Sequence, residues 1–428
     1  MKTTHKPLHS VKRFYFLEYF YVLLRSVERY AEKEQVFNAF KILKRQYRLG
    51  ESKYKTPAVD GENLSKLQLD RYRYTFGEVI DESKEYDLIE EDDKQKLVLT
   101  DEGRKLLTEY QEQGIVYFNQ SLFRLMESRY NAFYYLIEFL YNVNKYKPGL
   151  LIFPNYSPRQ LHFDRTNIRT TGHFLKYADI LVDRLQHDIQ EYLGEKRDLR
   201  KRNKRLLSQL IDSGLLSSNS AVEFPPEKYN VITKRIRDFW INYFLTDLYK
   251  YQYSPSSFDI WTYRGKQIGI IQASEFYPNF NGRIVYPTSV IMKSTTSHDF
   301  TNLYNYQDGF ALYIHKPIGQ TNQEKFVDYL VKAYFDLRRP SRSYFINLSA
   351  LREIVCYNMK ISEQLFEQFL DTIYKLNLAG QLKIRISLEV DKLPEETKAM
   401  YLKQEPVMVD GRYRNIIAID VAKGEKII

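Results

Sequence analysis

Between Phe76 and Leu107 the spacing of the apolar residues changes twice, and this restricts the fold more than any other stretch of the chain. Phe76, Val79 and Ile80 recur at helical intervals, with Tyr86 and Leu88 after them. Leu88-Ile89 leads into a polar turn from Glu90 to Lys96, and Leu97-Val98-Leu99-Thr100 reads as a strand. Asp101-Glu102-Gly103-Arg104-Lys105-Leu106-Leu107 then opens a new helix, with Thr100 or Asp101 as its N-cap.

Helix, short hairpin, Leu-x-Leu-Thr-x-x-Gly, helix: this order resembles the end of a winged helix-turn-helix domain, over roughly residues 35–110. The order returns near the C-terminus. Residues 362–377 put Leu365, Phe366, Phe369, Leu370, Ile373 and Leu376 on one helical face, and Asn377 to Gly380 end that helix. A strand from Leu382 to Val390, a long polar tip and a strand from Asn415 to Val421 follow. This resembles a winged-helix domain with an enlarged wing, over 343–424. A shorter likeness covers 174–224. There a helix ending in Leu210, Ile211 and Gly214-Leu215-Leu216 looks like a recognition helix leading into a first wing strand. The order of elements recurs without a sequence repeat.

Helical spacing also marks 11–48, Leu64 to about Arg73, two helices within 174–216, and 229–251 and 323–337, while the apolar, aromatic segment 117–146 caps the first domain or joins it to the next. Gly50, Pro57 and Gly61 mark a loop; Pro148, Gly149, Pro154 and Pro158 mark a boundary; Pro340 breaks the chain. From Phe258 to Ile314 the period shortens to two. Ile260–Tyr263, a turn at Arg264-Gly265-Lys266 and Gln267–Ala273 read as a β-hairpin, with strands around Ile284–Tyr286, Ser289–Met292 and Ala311–Ile314. The expected fold is mainly α with an α+β middle, multidomain, with two or three winged-helix-like domains. At ~100–200 residues per domain, 428 residues make two to four. The expected segments are a helical, winged-helix-like 1–147, a helical 148–257 with a basic helix, a strand-rich 258–340, and a winged-helix-like 341–428.

Little of this chain looks like an active site. Cys356 is the only cysteine and lies in the apolar run Ile354-Val355-Cys356-Tyr357, so it reads as a small hydrophobe rather than a zinc ligand or disulfide partner. One cysteine, no apolar leader after Met1 and no span of ~20 apolar residues point to a cytoplasmic protein off the membrane. His5 and His9 straddle Pro7, and His162, His173 and His187 lack ligand spacing, so no metal site is expected. Phosphate-cradling glycine motifs and Gly-x-Ser-x-Gly are absent from the sequence, and no cofactor is expected. Asp259 before the strand Ile268–Ser274 has a superficial likeness to a PD-(D/E)xK nuclease core. Gln272-Ala273-Ser274 stands where that core has its second carboxylate and lysine. A divergent nuclease using Asp259, and Glu275 with it, is therefore one alternative.

The sharpest feature is basic. Residues 196–205 hold seven Lys or Arg and one Asp, within a chain of net charge +10. Such a run repels itself on a helix, and phosphates relieve that repulsion while releasing counterions. Lys196, Arg197, Arg200, Lys201, Arg202, Lys204 and Arg205 are the first candidates for a nucleic-acid surface. Arg71 and Arg73, with Lys66, are candidates in the N-terminal module, although Glu90, Glu91, Asp92 and Asp93 make its wing tip acidic. Lys383, Arg385, Arg412 and Arg414 flank the C-terminal hairpin, where Glu389, Asp391, Glu395 and Glu396 dilute them. Tyr and Arg interleaved in Arg71-Tyr72-Arg73-Tyr74 suit the stacking of unpaired bases. The expected function is a non-enzymatic DNA-binding protein, holding duplex DNA as one subunit of a multi-component DNA-processing or phage-defence system. A protein-interaction scaffold built on winged-helix modules is the other alternative.

Overall fold

The computed structural model of the chain describes residues 12, 14–47, 65–143, 151–154, 168–274, 277–278, 282–294, 300–315, 320–341, 343–390 and 407–421. It is mostly helical with small antiparallel sheets. The expected loop over 50–61, most of the boundary around Pro148–Pro158, the wing residues Asp391, Glu395 and Glu396, and His5, His9, His162 and Glu275 lie outside the described residues. Two compact units form. The first is residues 1–138, 256–272 and 287–428; the second is 139–255 and 273–286.

The first unit opens with α1 (Glu18–Arg29), α2 (Lys33–Gln46) and α3 (Lys66–Glu85). Six successive residues of α1, Tyr19 to Leu24, are buried, because α2, α3 and the elements that follow enclose it. The two helical stretches expected between Leu64 and Ile80 are one continuous α3. Ser65 and Gln68 form a capping box at its start. None of its first ten residues is buried, and the first buried one is Phe76. β1 (Ile89–Glu91) pairs antiparallel with β2 (Leu97–Leu99), Ile89 opposite Leu99. Asp92 closes the turn by accepting from the Lys94 and Lys96 N–H groups. The Leu97 N–H donates to the Ala31 carbonyl at 2.9 Å, so the link between α1 and α2 lies beside β2. Thr100 caps α4 (Asp101–Gln113) through the Gly103 N–H. A Cβ on Gly103 would stand 2.0 Å from the Leu88 carbonyl oxygen, so only glycine lets this helix start against the hairpin. α5 (Ile115–Tyr130) and α6 (Ala132–Asn142) follow, and α6 carries the chain into the second unit.

The second unit holds β3 (Leu151–Pro154), α7 (Thr171–Leu193), α8 (Arg200–Asp212) and α9 (Tyr229–Asn242), the last continued by a π-helical stretch, Tyr243–Leu248. Phe174, Leu181, Leu185 and Ile189 of α7, Leu206 and Leu210 of α8, and Ile232, Ile236 and Trp240 of α9 are buried. The wing strand expected after Gly214 does not form. Gly214, at φ +68°, ends α8, and the Leu215 and Leu216 N–H groups turn back to Leu210. The Ser217 and Asn219 side chains then bond nearby backbone N–H groups, which favours turns over a ladder. Only an isolated bridge, Thr170 to Glu223, remains.

The expected β-hairpin over Ile260–Ala273 is also corrected. Residues Pro255–Ile268 form a helix, α10, and only β4 (Ile271–Ser274) is strand. Phe258, Trp261, Thr262 and Gly265 are buried at helical spacing. The pattern at Ile260–Tyr263 suits either structure locally, and the tertiary partner decides: Arg264 is not a turn residue but a buried one, paired with Glu82 of α3. β5 (Gly282–Pro287) returns to pair antiparallel with β3.

The rest of the chain belongs to the first unit. β6 (Ser289–Met292), β7 (Phe300–Asn305) and β8 (Ala311–His315) form a sheet of order β6-β8-β7. α11 (Gln320–Ser341) runs through Pro340, which falls in its last turn. Then come β9 (Ile346–Asn347), α12 (Leu348–Met359), α13 (Glu363–Leu378), β10 (Ile384–Glu389), the small hairpin β11 (Val407–Val409) and β12 (Arg412–Arg414), and β13 (Ile416–Val421). Three helices and a sheet of order β10-β13-β9 enclose one core that includes Phe326, Leu351, Phe366, Phe369, Ile386 and Ile417. The open edge of β10 is occupied at one point. Asn377 donates to the Ile386 carbonyl and accepts from its N–H, at 3.0 and 2.9 Å.

Candidate nucleic-acid interface

The charge of the chain is unevenly shared. The second unit has 20 Lys and Arg against 13 Asp and Glu, a net +7, whereas the first has 44 against 41. α8 is its most basic element. The helix begins at Arg200 rather than Lys196; residues 194–199 are non-helical. Its first turn is Arg200-Lys201-Arg202, with no acid and no side-chain cap from Leu199. Asp198, just before the helix, accepts the Arg200 N–H at 3.0 Å and so places one carboxylate at this cationic helix start.

The seven predicted cations divide into two groups. Arg197 is held by Glu195 at 2.6 Å, and Arg200 lies 3.6 Å from Asp183 of α7. Arg202 is paired with Asp247 and lies over the Tyr243 ring, 4.5 Å from its centroid. Lys196, Lys201, Lys204 and Arg205 are exposed and have no carboxylate partner among the described residues. Lys201, Lys204 and Arg205 stand at i, i+3 and i+4, so they share one face, while Asn203, Leu206 and Leu210 are buried on another. Sequence reasoning passed over Lys234 and Arg235 on α9, which are likewise exposed without a carboxylate partner. Their signal was the run Lys234-Arg235-Ile236-Arg237, one buried residue among three cations.

An open groove of about 590 Å³ lies beside α7, lined in part by Gln186, Gln190, Lys196, Arg197 and Arg200. On its rim His187, Asp188 and Glu191 bring ligand-type atoms within 4.8 Å of one another, a grouping not seen in the sequence. The groove lining is mixed in charge, with Asp183 and Asp198 beside Lys196, Arg197 and Arg200.

The predicted residues of the first unit have different fates. Arg71 and Lys66 are exposed on the N-terminal half of α3, without a carboxylate partner among the described residues. Arg73 instead clamps α3 to α2, with a fork of hydrogen bonds to Glu34 at 2.8 and 3.0 Å and its guanidinium over Phe37. Lys44 covers the Tyr72 ring at 3.8 Å, and of the aromatic pair only Tyr74 is exposed. Lys383 is exposed just before β10, and Arg385 lies on the exposed side of that strand, opposite Asp420 of β13. Arg412 is exposed, and Arg414 is half-buried, donating to the Leu388 carbonyl at 3.1 Å.

The start of α13 is closed to a phosphate backbone. Glu363 accepts from Lys266 and Gln272, each at 2.8 Å, and lies 3.6 Å from Arg352. Burial works against this carboxylate, but Arg352 and Lys266 outweigh it and hold its pKa down to about 2. The Gln364 side chain donates to the Lys266 carbonyl at 3.3 Å. Asp259 sits half-buried on α10, not on a strand, which removes the sheet geometry that a metal-dependent nuclease core needs. Cys356 is fully buried, and burial pushes its thiol pKa up. None of the described helices is long and apolar enough to cross a membrane. Comparison with protein-family models, curated proteins and solved structures finds no match.

Proposed function

We propose that this protein is a non-enzymatic DNA-binding protein that holds duplex DNA by its backbone through the second unit, as a subunit of a multi-component DNA-processing or defence system. One observation carries the reading: Lys201, Lys204 and Arg205 stand on one face at the start of α8 with no carboxylate partner among the described residues, in a unit of net +7. Such a surface neutralises phosphates and reads no base. A role in docking other proteins is supported for the terminal modules. The first sets three helices against a hairpin and the second sets three against a three-stranded sheet, an order of elements like that of winged-helix domains, but the first has an acidic turn and the second has the start of α13 buried. Such modules serve as scaffolds as well as DNA readers.

Titration of a fluorescent duplex across a salt series tests the reading. The variant K201Q/K204Q/R205Q retains its fold, because these side chains are exposed. Its slope of log affinity against log salt falls in magnitude by up to about 2.7, or ~0.9 per lost phosphate contact, to a similar extent for unrelated DNA sequences. An unchanged slope in a folded variant removes α8 from the interface.

A further inference from the structure

We propose that the phosphate-binding surface continues onto α9, where Lys234 and Arg235 grip the second strand of the duplex held by α8; the inference rests on the reading of α8 above. Two contacts fix how these helices lie. Beyond the end of α8, the Gly214 carbonyl accepts from Lys228, just before α9, at 2.9 Å. At the start of α8, Arg202 lies over the Phe239 and Tyr243 rings, at 5.9 and 4.5 Å, and pairs with Asp247. The beginning of each helix therefore meets the end of the other, and they run side by side and antiparallel. With both helices rising ~1.5 Å per residue, Lys234 and Arg235 come level with the stretch just after Arg205.

α9 buries Tyr229, Ile232, Thr233, Ile236 and Trp240, which leaves Lys234 and Arg235 on the face turned away from the core. Arg237 is engaged by its neighbour Asp238 at 3.2 Å, so the acid nearest to Lys234 and Arg235 on this helix is already paired. α8 and α9 thus present two rows of cations. Packed helices stand ~8–10 Å apart. The grooves of duplex DNA are about 6 and 12 Å wide, so two rows at this separation reach phosphates on both strands. An extended single strand offers one row of phosphates and satisfies one row of cations.

The test compares the K234Q/R235Q variant with wild type and with the α8 variant, on a duplex and on a single-stranded probe of the same length, across a salt series. Thermal unfolding confirms that the fold is retained. The expected result is a duplex slope smaller by up to about 1.8, two contacts at ~0.9 each, with the single-strand slope unchanged. A duplex slope unchanged on altering α9 but reduced on altering α8 overturns the extension and leaves the α8 surface standing. A single-strand slope that falls as far as the duplex slope overturns the two-strand arrangement. If neither variant changes either slope, the α8 reading fails as well.

Discussion

The Glu82→Ala variant is expected to lose about 3–5 kcal/mol of stability, the usual cost of leaving one partner of a buried ion pair alone. Glu82 and Arg264 have no exposed side-chain surface. Both carboxylate oxygens accept from the guanidinium, at 2.6 and 2.8 Å, and Tyr86 donates its hydroxyl to Glu82 at 2.7 Å. Arg264 also reaches the Phe14 carbonyl at 3.2 Å and lies over the Phe14 and Trp261 rings. Without Glu82 the cation keeps one carbonyl, the Met126 sulfur at 3.7 Å and two ring faces in a buried site. A domain has only about 5–15 kcal/mol of net stability, so the loss is a large part of the whole. Chemical denaturation measures it, and Glu82→Ala with Arg264→Met should recover part of it by removing the stranded charge. A loss under about 1 kcal/mol in the single variant contradicts this account of the core.

The second large effect depends on pH. Glu127 is fully buried on α5 and accepts three hydrogen bonds: from the Phe133 and Tyr134 N–H groups that begin α6, at 2.9 and 2.8 Å, and from the Tyr306 hydroxyl at 2.7 Å. Burial raises its pKa from the ordinary 4.5 to about 7, against the three donors, which favour the anion. A carboxyl group with a raised pKa binds its proton more tightly when folded. Its contribution to stability is therefore full below pH 4.5 and is lost as the pH rises through 7. At ~1.36 kcal/mol per pH unit, the loss is on the order of 3 kcal/mol. Urea midpoints for wild type and Glu127→Gln at pH 5 and pH 7.5 test this. The wild type should weaken more than the variant between the two values, and equal pH dependence in both would contradict it.

Where one element's own residues determine its structure, the sequence was sufficient. The apolar stripe of α13 and its end lie within a residue of expectation, as do the strand Leu97–Leu99 and its Thr100 cap, whereas β1 runs to Glu91, two residues into the expected turn. The failures occur where a distant partner decides. Ile260–Tyr263 carries the residue types of a strand, and α10 is helical because Arg264 reaches Glu82, 182 positions earlier. The basic cluster was visible as composition, but not which of its cations have carboxylate partners among the described residues. Asp183 and Asp247, which engage Arg200 and Arg202, come from α7 and from the stretch beyond α9. Arg73 had the look of a phosphate contact until Glu34, 39 residues away, proved to hold it. Lys234 and Arg235 were missed because three cations in four residues look like an ordinary solvated face until α8 is placed beside them.

The most direct test of the central proposal is the acetylation of individual lysines in the intact protein, followed by mass spectrometry with and without a saturating duplex at low salt. Lys201, Lys204 and Lys234 should become protected, while Lys375, paired with Asp371 on α13, and Lys94 in the acidic hairpin turn keep their reactivity. Protection confined to the terminal modules, with Lys201 and Lys204 fully reactive in the complex, would contradict it.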